Sequence, residues 1–185
     1  MGRPKALLPC APDDETFVGR VVRTLQEGGI PHVLVVGRPD DAELRDHIAQ
    51  FETPPLYVAN PAPERGQLSS LIVGIDVAQA RGAESVIVMP VDIPQVRAGT
   101  VSALVAAWRT SPAPVLRVTC GGRHGHPVIF RQPVFGALRS ADPRIGAKAV
   151  LRAHAGDTLN VEVGDPGVLR DVDVPAEYDR LFGRP

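Results

Sequence analysis

The sequence predicts an α/β fold in which parallel strands alternate with helices that cross over on both faces of a sheet. Two apolar runs, 32–37 and 85–89, are short and unbroken, as in strands that are covered on both sides. They alternate at short spacing with segments whose apolar residues recur at helical intervals, which is typical of parallel sheets with helical crossovers. After Thr119 two strand candidates are separated by two short helices, which predicts a mixed sheet with some antiparallel strands.

Each element is predicted from local spacing and from its end signals. The first helix has five apolar residues on one face and ends before Gly28-Gly29, and the second is capped by Asp40 or Asp41. The predicted helices are 16–26, about 41–51, 66–81 and 101–108. The predicted strands are 32–37, 56–59, 85–89, 114–119, 126–130 and 158–163.

Composition limits the function classes. The 185 residues form one domain, 1–185, and their net charge of −1 at pH 7 argues against nucleic-acid or anionic membrane binding, both of which need a basic face. No apolar run approaches the roughly 18 residues of a membrane span. The two cysteines are far apart and lack metal-ligand spacing, which predicts reduced thiols and a cytoplasmic location.

Two charged side chains are candidates for chemistry on phosphates. Lys5 follows Gly2-Arg3-Pro4 and precedes an apolar pair, so its ammonium stands at the exit of a tight loop where it can reach a phosphate. Asp92 comes just past the apolar run 85–89, in a turn that Pro94 stiffens. A carboxylate fixed there suits Mg²⁺ bound to a nucleotide's phosphates, although an Asp that only forms the turn is an equally common arrangement.

Asp171 and Asp173 alternate on an extended segment near the C-terminus, so both face the same side. One of them is a candidate second metal ligand. The alternative is that Asp173 caps the C-terminal helix, with Pro175 in its first turn.

The start of the 66–81 helix is rich in small polar residues, Gly66, Gln67, Ser69 and Ser70. Backbone N–H groups at a helix N-terminus bind anions, and Ser or Gln side chains can contact a base or a sugar. Plain N-capping by a serine is the alternative. Asn60 can similarly contact a base edge, or it can shape the turn before Pro61.

The glycine-rich segment 121–127 contains Arg123, His124, Gly125 and His126. It is predicted either as a flexible loop that closes over an anionic acceptor or as a surface hairpin. The two histidines alone are weak evidence for zinc, because no third ligand is nearby in the sequence.

In their order along the chain these segments resemble the MobA-like nucleotidyltransferase family, and among its branches the molybdenum cofactor cytidylyltransferases. The resemblance covers essentially the whole chain. The residues that carry it are Gly2-Arg3-Pro4-Lys5-Ala6-Leu7-Leu8, Asn60, Gly66-Gln67-Leu68-Ser69-Ser70-Leu71, Pro90-Val91-Asp92-Ile93-Pro94, Gly125-His126-Pro127-Val128-Ile129-Phe130 and Asp171-Val172-Asp173-Val174-Pro175-Ala176-Glu177-Tyr178.

The resemblance implies a Rossmann-like three-layer α/β/α sandwich with a mixed, mostly parallel sheet. It implies transfer of a nucleoside monophosphate from NTP and Mg²⁺ to a phosphorylated acceptor such as molybdopterin cofactor, with release of pyrophosphate. Lys5 and Asp92 would be catalytic, with Asp92 and Asp173 on the metal. The Pro4-Lys5 pair favours CTP. Nucleotide contacts are implied for Gly2, Lys5, Asn60, Gly66, Gln67, Ser69 and Ser70, and acceptor contacts for Gly125 and His126.

One departure from the family pattern concerns the N-terminus. Family members begin with an apolar strand that runs into a glycine-rich phosphate loop, of which only Met1 and Gly2 match here. We therefore expect an N-terminally truncated domain whose native start lies upstream of Met1.

Other functions remain open on the sequence. They are guanylyl transfer or transfer to another phosphate acceptor, a relative recruited to redox chemistry, and a protein that binds a pterin-type cofactor without catalysis. A molybdoenzyme or its maturation factor is a candidate partner.

Overall fold

The computed structural model describes residues 4–10 and 15–183. Its helices are α1 (Phe17–Glu27), α2 (Ala42–Ile48), α3 (Gln67–Ala80), α4 (Ala98–Thr110), α5 (Phe135–Arg139), α6 (Lys148–Ala153) and α7 (Pro175–Phe182). Its strands are β1 (Pro9–Cys10), β2 (Glu15–Thr16), β3 (Leu34–Gly37), β4 (Leu56–Ala59), β5 (Ser85–Val88), β6 (Val115–Cys120), β7 (Arg123–Arg131) and β8 (Thr158–Glu162). Short 3₁₀ segments lie at Lys5–Leu7, Pro63–Arg65, Gln132–Val134 and Pro166–Leu169.

The strands pair as the mixed sheet that the sequence predicts. β3 and β4 are parallel, and a four-stranded sheet has the order β5-β7-β6-β8. In that sheet β6 and β8 are parallel, whereas β7 is antiparallel to both of its neighbours. Three of the four strands therefore run in one direction, which confirms the expectation of a mixed, mostly parallel sheet.

Helices cover both faces of the sheet. On one face, α1 and α4 pack on alternate residues of the central strands, such as Leu116 of β6 and Ile129 of β7. On the other face, α3, α5 and α6 pack on the intervening residues, such as Val115 and Phe130. Because successive side chains of a strand point to opposite faces, these two clusters form the two cores of a three-layer α/β/α sandwich.

The apolar runs of β3 and β5 are less buried than the sequence predicts. All four residues of each strand are only half-buried, whereas β6 and β7 contain the most buried side chains of the sheet. Among the described residues, β3 pairs only with β4, and β5 pairs only with β7. Each of these two strands thus has one edge without a strand partner in residues 4–10 and 15–183, and this leaves its side chains partly accessible.

The segment 121–127 is a hairpin, so the flexible-loop prediction is wrong. Cys120 pairs with Arg123 across a two-residue turn, in which Gly121 and Gly122 have φ angles of 58° and 72°. Two positive φ values match the twist of the flanking strands, and glycine adopts them without strain. The strand that the sequence predicts at 126–130 therefore begins at Arg123.

No helix within 4–10 and 15–183 is long and apolar enough to cross a membrane.

Candidate active site

Two segments that are distant in sequence are joined beside the end of β5. The amide of Val172 donates a hydrogen bond of 2.8 Å to the carbonyl oxygen of Asp92. Val172 is fully buried, and along an extended segment its neighbours Asp171 and Asp173 point the opposite way. The contact therefore places the predicted carboxylates of residues 92 and 173 next to each other.

Lys5 completes this group. Its Nζ lies 2.8 Å from Oδ1 of Asp173 and 3.6 Å from Oδ2 of Asp92. Partial burial lowers the pKa of Lys5, but its hydrogen bond and ion pair with Asp173 and its ion pair with Asp92 outweigh burial, so the pKa of the ammonium is raised. The structure thus brings together all three residues for which the sequence predicts chemistry on phosphates.

The pair of carboxylates fits a divalent metal ion. A cation, the Lys5 ammonium, already contacts both Asp92 and Asp173, which shows that their oxygens converge on one position. Carboxylate oxygens are hard ligands of the kind that Mg²⁺ and Mn²⁺ take in proteins. No group of three or more His, Cys, Asp or Glu side chains in the described ranges could hold a metal by itself. An ion at the pair would therefore take its other ligands from phosphate and water, as Mg²⁺ commonly does at nucleotide sites.

Both polar atoms of the Asn60 side chain already have hydrogen-bond partners within the chain. Its Nδ2 donates to the hydroxyls of Ser69 at 2.8 Å and Ser70 at 3.0 Å, and its Oδ1 accepts from the amide of Ala62 at 2.9 Å. Asn60 is also almost completely buried. These contacts correspond to the turn-shaping alternative, and they tie the end of β4 to the first turn of α3. A direct contact between Asn60 and a nucleotide stays a prediction.

The N-terminus of α3 has no side-chain cap. Gly66 has a φ of +83°, a conformation that glycine tolerates, and no side chain caps the helix there. Gly66 and Gln67 are exposed, and Ser69 donates back to the Gly66 carbonyl at 2.7 Å rather than capping an amide. The first amides of this 14-residue helix therefore have no side-chain cap, as an anion-binding terminus requires.

Gly125 and His126 lie on β7 rather than in a loop. Gly125 packs against the backbone of Val168, where an added Cβ would lie 2.4 Å from the carbonyl oxygen. The Nδ1 atom of His126 is buried without a hydrogen-bond partner in the described part of the chain. Burial lowers the pKa of His126 below its ordinary value and outweighs the nearby Val88 backbone and the charges of Asp92 and Asp171, which raise the pKa.

The predicted zinc alternative for His124 and His126 finds no support within 4–10 and 15–183, where no third ligand joins them. Gly2 lies outside the described residues.

Asp165 is a structurally important residue that the sequence analysis missed. Its buried carboxylate accepts hydrogen bonds from the amide of Arg97 at 2.9 Å, the hydroxyl of Thr100 at 2.6 Å and the amide of Gly167 at 3.0 Å. The Asp-Pro-Gly sequence at 165–167 is the turn signal that could have identified it. A cleft of about 410 Å³ beside it, which includes Arg97 and Arg170, is lined by none of Lys5, Asp92 and Asp173.

Solved structures with the same architecture include the crystal structure of Rv0371c from Mycobacterium tuberculosis, with a TM-score of 0.80 and 23% identity over 100% of this chain and 92% of that chain. A manganese complex of Rv0371c aligns with a TM-score of 0.73 and 26% identity, over 99% of this chain and 94% of that chain. The Rossmann-like α/β fold is thereby confirmed for this chain.

Sequence comparison also finds relatives of this chain. "Purine catabolism protein PucB" of Bacillus subtilis is 29% identical over 188 residues, which cover 98% of this chain and 89% of the relative. "Probable molybdenum cofactor guanylyltransferase" of Rhodopirellula baltica is 31% identical over 118 residues, which cover 63% of this chain and 53% of the relative. Residues 1–158 match the MobA-like NTP transferase domain. The chain therefore belongs to the MobA-like NTP transferase family and is a nucleotidyltransferase.

Proposed function

We propose that this nucleotidyltransferase moves CMP from CTP to a phosphorylated acceptor such as molybdopterin cofactor and releases pyrophosphate. The observation that carries the proposal is the convergence of the Lys5 ammonium with the carboxylates of Asp92 and Asp173. One mobile cation and two fixed anions at one point are the charges needed to bind a metal-chelated triphosphate.

The reaction is an in-line displacement. A phosphate oxygen of the acceptor attacks the α-phosphorus of CTP, a new P–O bond forms, and the bond between the α-phosphorus and its bridging oxygen breaks. Pyrophosphate leaves with that electron pair. No general base is needed, because the acceptor phosphate is already ionised near pH 7.

This chain's residues supply the electrostatics of the step. Asp92 and Asp173 would hold Mg²⁺, which neutralises phosphate charge when it is bound. Lys5, on a flexible side chain, donates hydrogen bonds and positive charge to the oxygens of the triphosphate. The Val172 amide keeps Asp92 and Asp173 in register, so the two carboxylates need no rearrangement during the reaction.

The remaining predicted residues would bind the two substrates. The open N-terminus of α3, with Gly66 and Gln67, would contact the nucleotide, while Asn60 holds Ser69 and Ser70 in place. Gly2 would contact the phosphates. Gly125 and His126 are proposed at the acceptor: the His126 ring lies close to Asp92, and Gly125 would set the position of that ring by packing on Val168.

Guanylyl transfer is the second candidate. It is favoured by the Rhodopirellula relative, whose name is that of a guanylyltransferase. CTP is favoured by the Pro4-Lys5 pair at the phosphate loop. A molybdoenzyme or its maturation factor is the partner proposed to receive the product.

Ligand-dependent thermal shift of the full-length protein tests the proposal. In Mg²⁺, CTP should raise the melting temperature more than GTP or ATP, since a ligand at 100 times its Kd stabilises by about 2.7 kcal/mol. Asp92→Ala should abolish the CTP shift and leave the melting temperature of the free protein nearly unchanged. Asp46→Ala, which removes an exposed carboxylate of α2, is the control and should keep the shift.

Three results would contradict the proposal in different ways. A larger shift with GTP would select the guanylyl candidate. An Asp92→Ala protein that keeps the CTP shift would remove Asp92 from the site. The absence of a shift with every nucleotide would support the alternative of a protein that binds a cofactor without catalysis.

A further inference from the structure

The cation that Asp92 and Asp173 hold in the free protein is Lys5. The backbones that carry the two carboxylates are fixed. Val172 donates to the Asp92 carbonyl, and the amide of Asp173 donates to the carboxylate of Glu177 at 2.8 Å. The lysine is the mobile member, because its ammonium is at the end of a four-carbon side chain and about a third of that side chain is exposed.

We propose that Lys5 and a divalent metal ion are alternative occupants of the Asp92–Asp173 pair, so that Lys5 must leave the carboxylates before the metal binds. This rests on the proposed function, which assigns metal and triphosphate to the same site. A lysine that donates to Asp173 and contacts Asp92 fills the position on which the two carboxylates converge. A divalent ion on the same oxygens would repel the ammonium at close range, and the repulsion is strong in a partly buried site.

Lys5 therefore has two roles. In the free protein it neutralises the charge of two neighbouring carboxylates that would otherwise repel each other. When a triphosphate arrives, its oxygens offer the ammonium new partners, so Lys5 exchanges its ion pairs with the carboxylates for ion pairs with phosphate. Metal and nucleotide should consequently bind with positive coupling, each favouring the other.

The chain offers a matched control for this inference. It contains two lysines, Lys5 and Lys148, so that Lys148→Ala changes the net charge as much as Lys5→Ala does. Lys148 is exposed, at the start of α6. Any general effect of one lost positive charge on cation binding will appear equally in both variants.

Titration with Mn²⁺ alone, followed by electron paramagnetic resonance of the free ion, tests the inference without nucleotide and without turnover. Lys5→Ala should bind Mn²⁺ at least 10-fold more tightly than the wild-type protein, and Lys148→Ala should bind like the wild type. The double variant Lys5→Ala/Asp92→Asn should lose the gain, which assigns the tightened site to the carboxylate pair. Saturating CTP should tighten Mn²⁺ binding to the wild type more than to Lys5→Ala.

The outcomes separate this inference from the proposed function. If Lys5→Ala binds Mn²⁺ no more tightly than wild type, or if neither protein binds it, the exchange between Lys5 and metal is refuted, even if CTP still binds. If Lys5→Ala shows the gain and no nucleotide binds to any form, the exchange stands and the proposed transfer of CMP from CTP fails. Equal gains in Lys5→Ala and Lys148→Ala would reduce the effect to net charge and refute the inference.

Discussion

The backbone amide of Val172 donates a hydrogen bond to the backbone carbonyl of Asp92, and this contact joins the C-terminal segment to the loop that follows β5. The Val172 side chain anchors this contact, because it is buried in one apolar cluster with Leu8, Phe17 and Tyr178. One buried residue thus positions both carboxylates of the site and packs against the segment that follows Lys5. Its packing should therefore affect stability and function together.

Val172→Ala should lower the free energy of unfolding by about 2 kcal/mol, because it removes two buried methyl groups and leaves a small cavity. Val174→Ala is the matched control, since the Val174 side chain is exposed two residues away and should change stability by less than about 0.5 kcal/mol. Urea unfolding of both variants measures the difference. Equal effects at 172 and 174 would show that the segment is not anchored through Val172.

The free energy of unfolding should depend on pH through the ion pairs that Glu15 forms with Arg20 and Arg23. Glu15 accepts hydrogen bonds from Arg23 at 2.8 Å and Arg20 at 2.9 Å. The bonds from Arg23, and then those from Arg20, hold the pKa of Glu15 below its ordinary 4.5 although burial raises it. A lowered pKa in the folded state means that the stabilisation is fully present above pH 4.5 and is lost as the pH falls through the folded-state pKa.

Glu15→Gln should therefore be less stable than wild type at pH 7, by about 1 kcal/mol for partly exposed charged hydrogen bonds. The difference should shrink as the pH is lowered below 4.5, because Glu15 is protonated first in the unfolded chain and then, below its folded-state pKa, in the folded protein. Urea unfolding at a series of pH values measures it, with the exposed Glu43→Gln as control. A difference that stays constant down to pH 3 would exclude ionised Glu15 as its source.

Part of the site could be predicted because two of its residues stand in recognisable local patterns. Asp92 follows an apolar run and Asp173 alternates with Asp171 on an extended segment, so both patterns are local. That Lys5 serves the same site as these carboxylates was implied only by the family resemblance, since no spacing rule joins residue 5 to residue 173. The structure supplies that link through the ion pairs of Lys5 with Asp173 and Asp92, and the backbone bond between Val172 and Asp92 holds the two acidic segments together.

Other features depend on tertiary contacts that local patterns do not contain. The run 85–89 has the composition of a fully covered strand, yet β5 is half-buried because only one of its edges pairs with a described strand. Asn60 is a residue type that can bind a base edge through its amide group. In the folded chain its Nδ2 and Oδ1 are instead hydrogen-bonded to nearby residues between 60 and 70. Hydrogen-bond partners of this kind are visible only once the chain is folded.

The two cysteines should differ sharply in reactivity. Cys10 is fully buried, and burial raises the pKa of its thiol to about 11. Because the thiolate is the reactive form, roughly 0.1% of Cys10 would be reactive at pH 8 even if reagent reached it. Cys120, at the end of β6, is half-buried.

Native protein should release one equivalent of thionitrobenzoate from Ellman's reagent and a second only in denaturant. Cys120→Ser should remove the fast equivalent, and its persistence would place the reactive thiol at Cys10.

Gly125 offers a test between a packing role and a direct role at the acceptor. A Cβ at this position would lie 2.4 Å from the carbonyl oxygen of Val168 and 2.8 Å from its side chain. The oxygen belongs to the backbone, so the clash cannot be relieved by a change of rotamer. Gly125→Ala should therefore destabilise the protein by about 1–3 kcal/mol, the usual range for overpacking.

Gly136 of α5 is the matched control, because a Cβ there would meet nothing within 4 Å and helical backbone suits alanine. Gly136→Ala should raise stability by about 0.4–1 kcal/mol, so the two identical substitutions are expected to act in opposite directions. Adding Val168→Ala to Gly125→Ala should not restore stability, since the backbone oxygen remains in place. If Gly125→Ala left urea unfolding unchanged and altered only the binding of a phosphorylated acceptor, then Gly125 would contact the acceptor itself rather than position His126 through Val168.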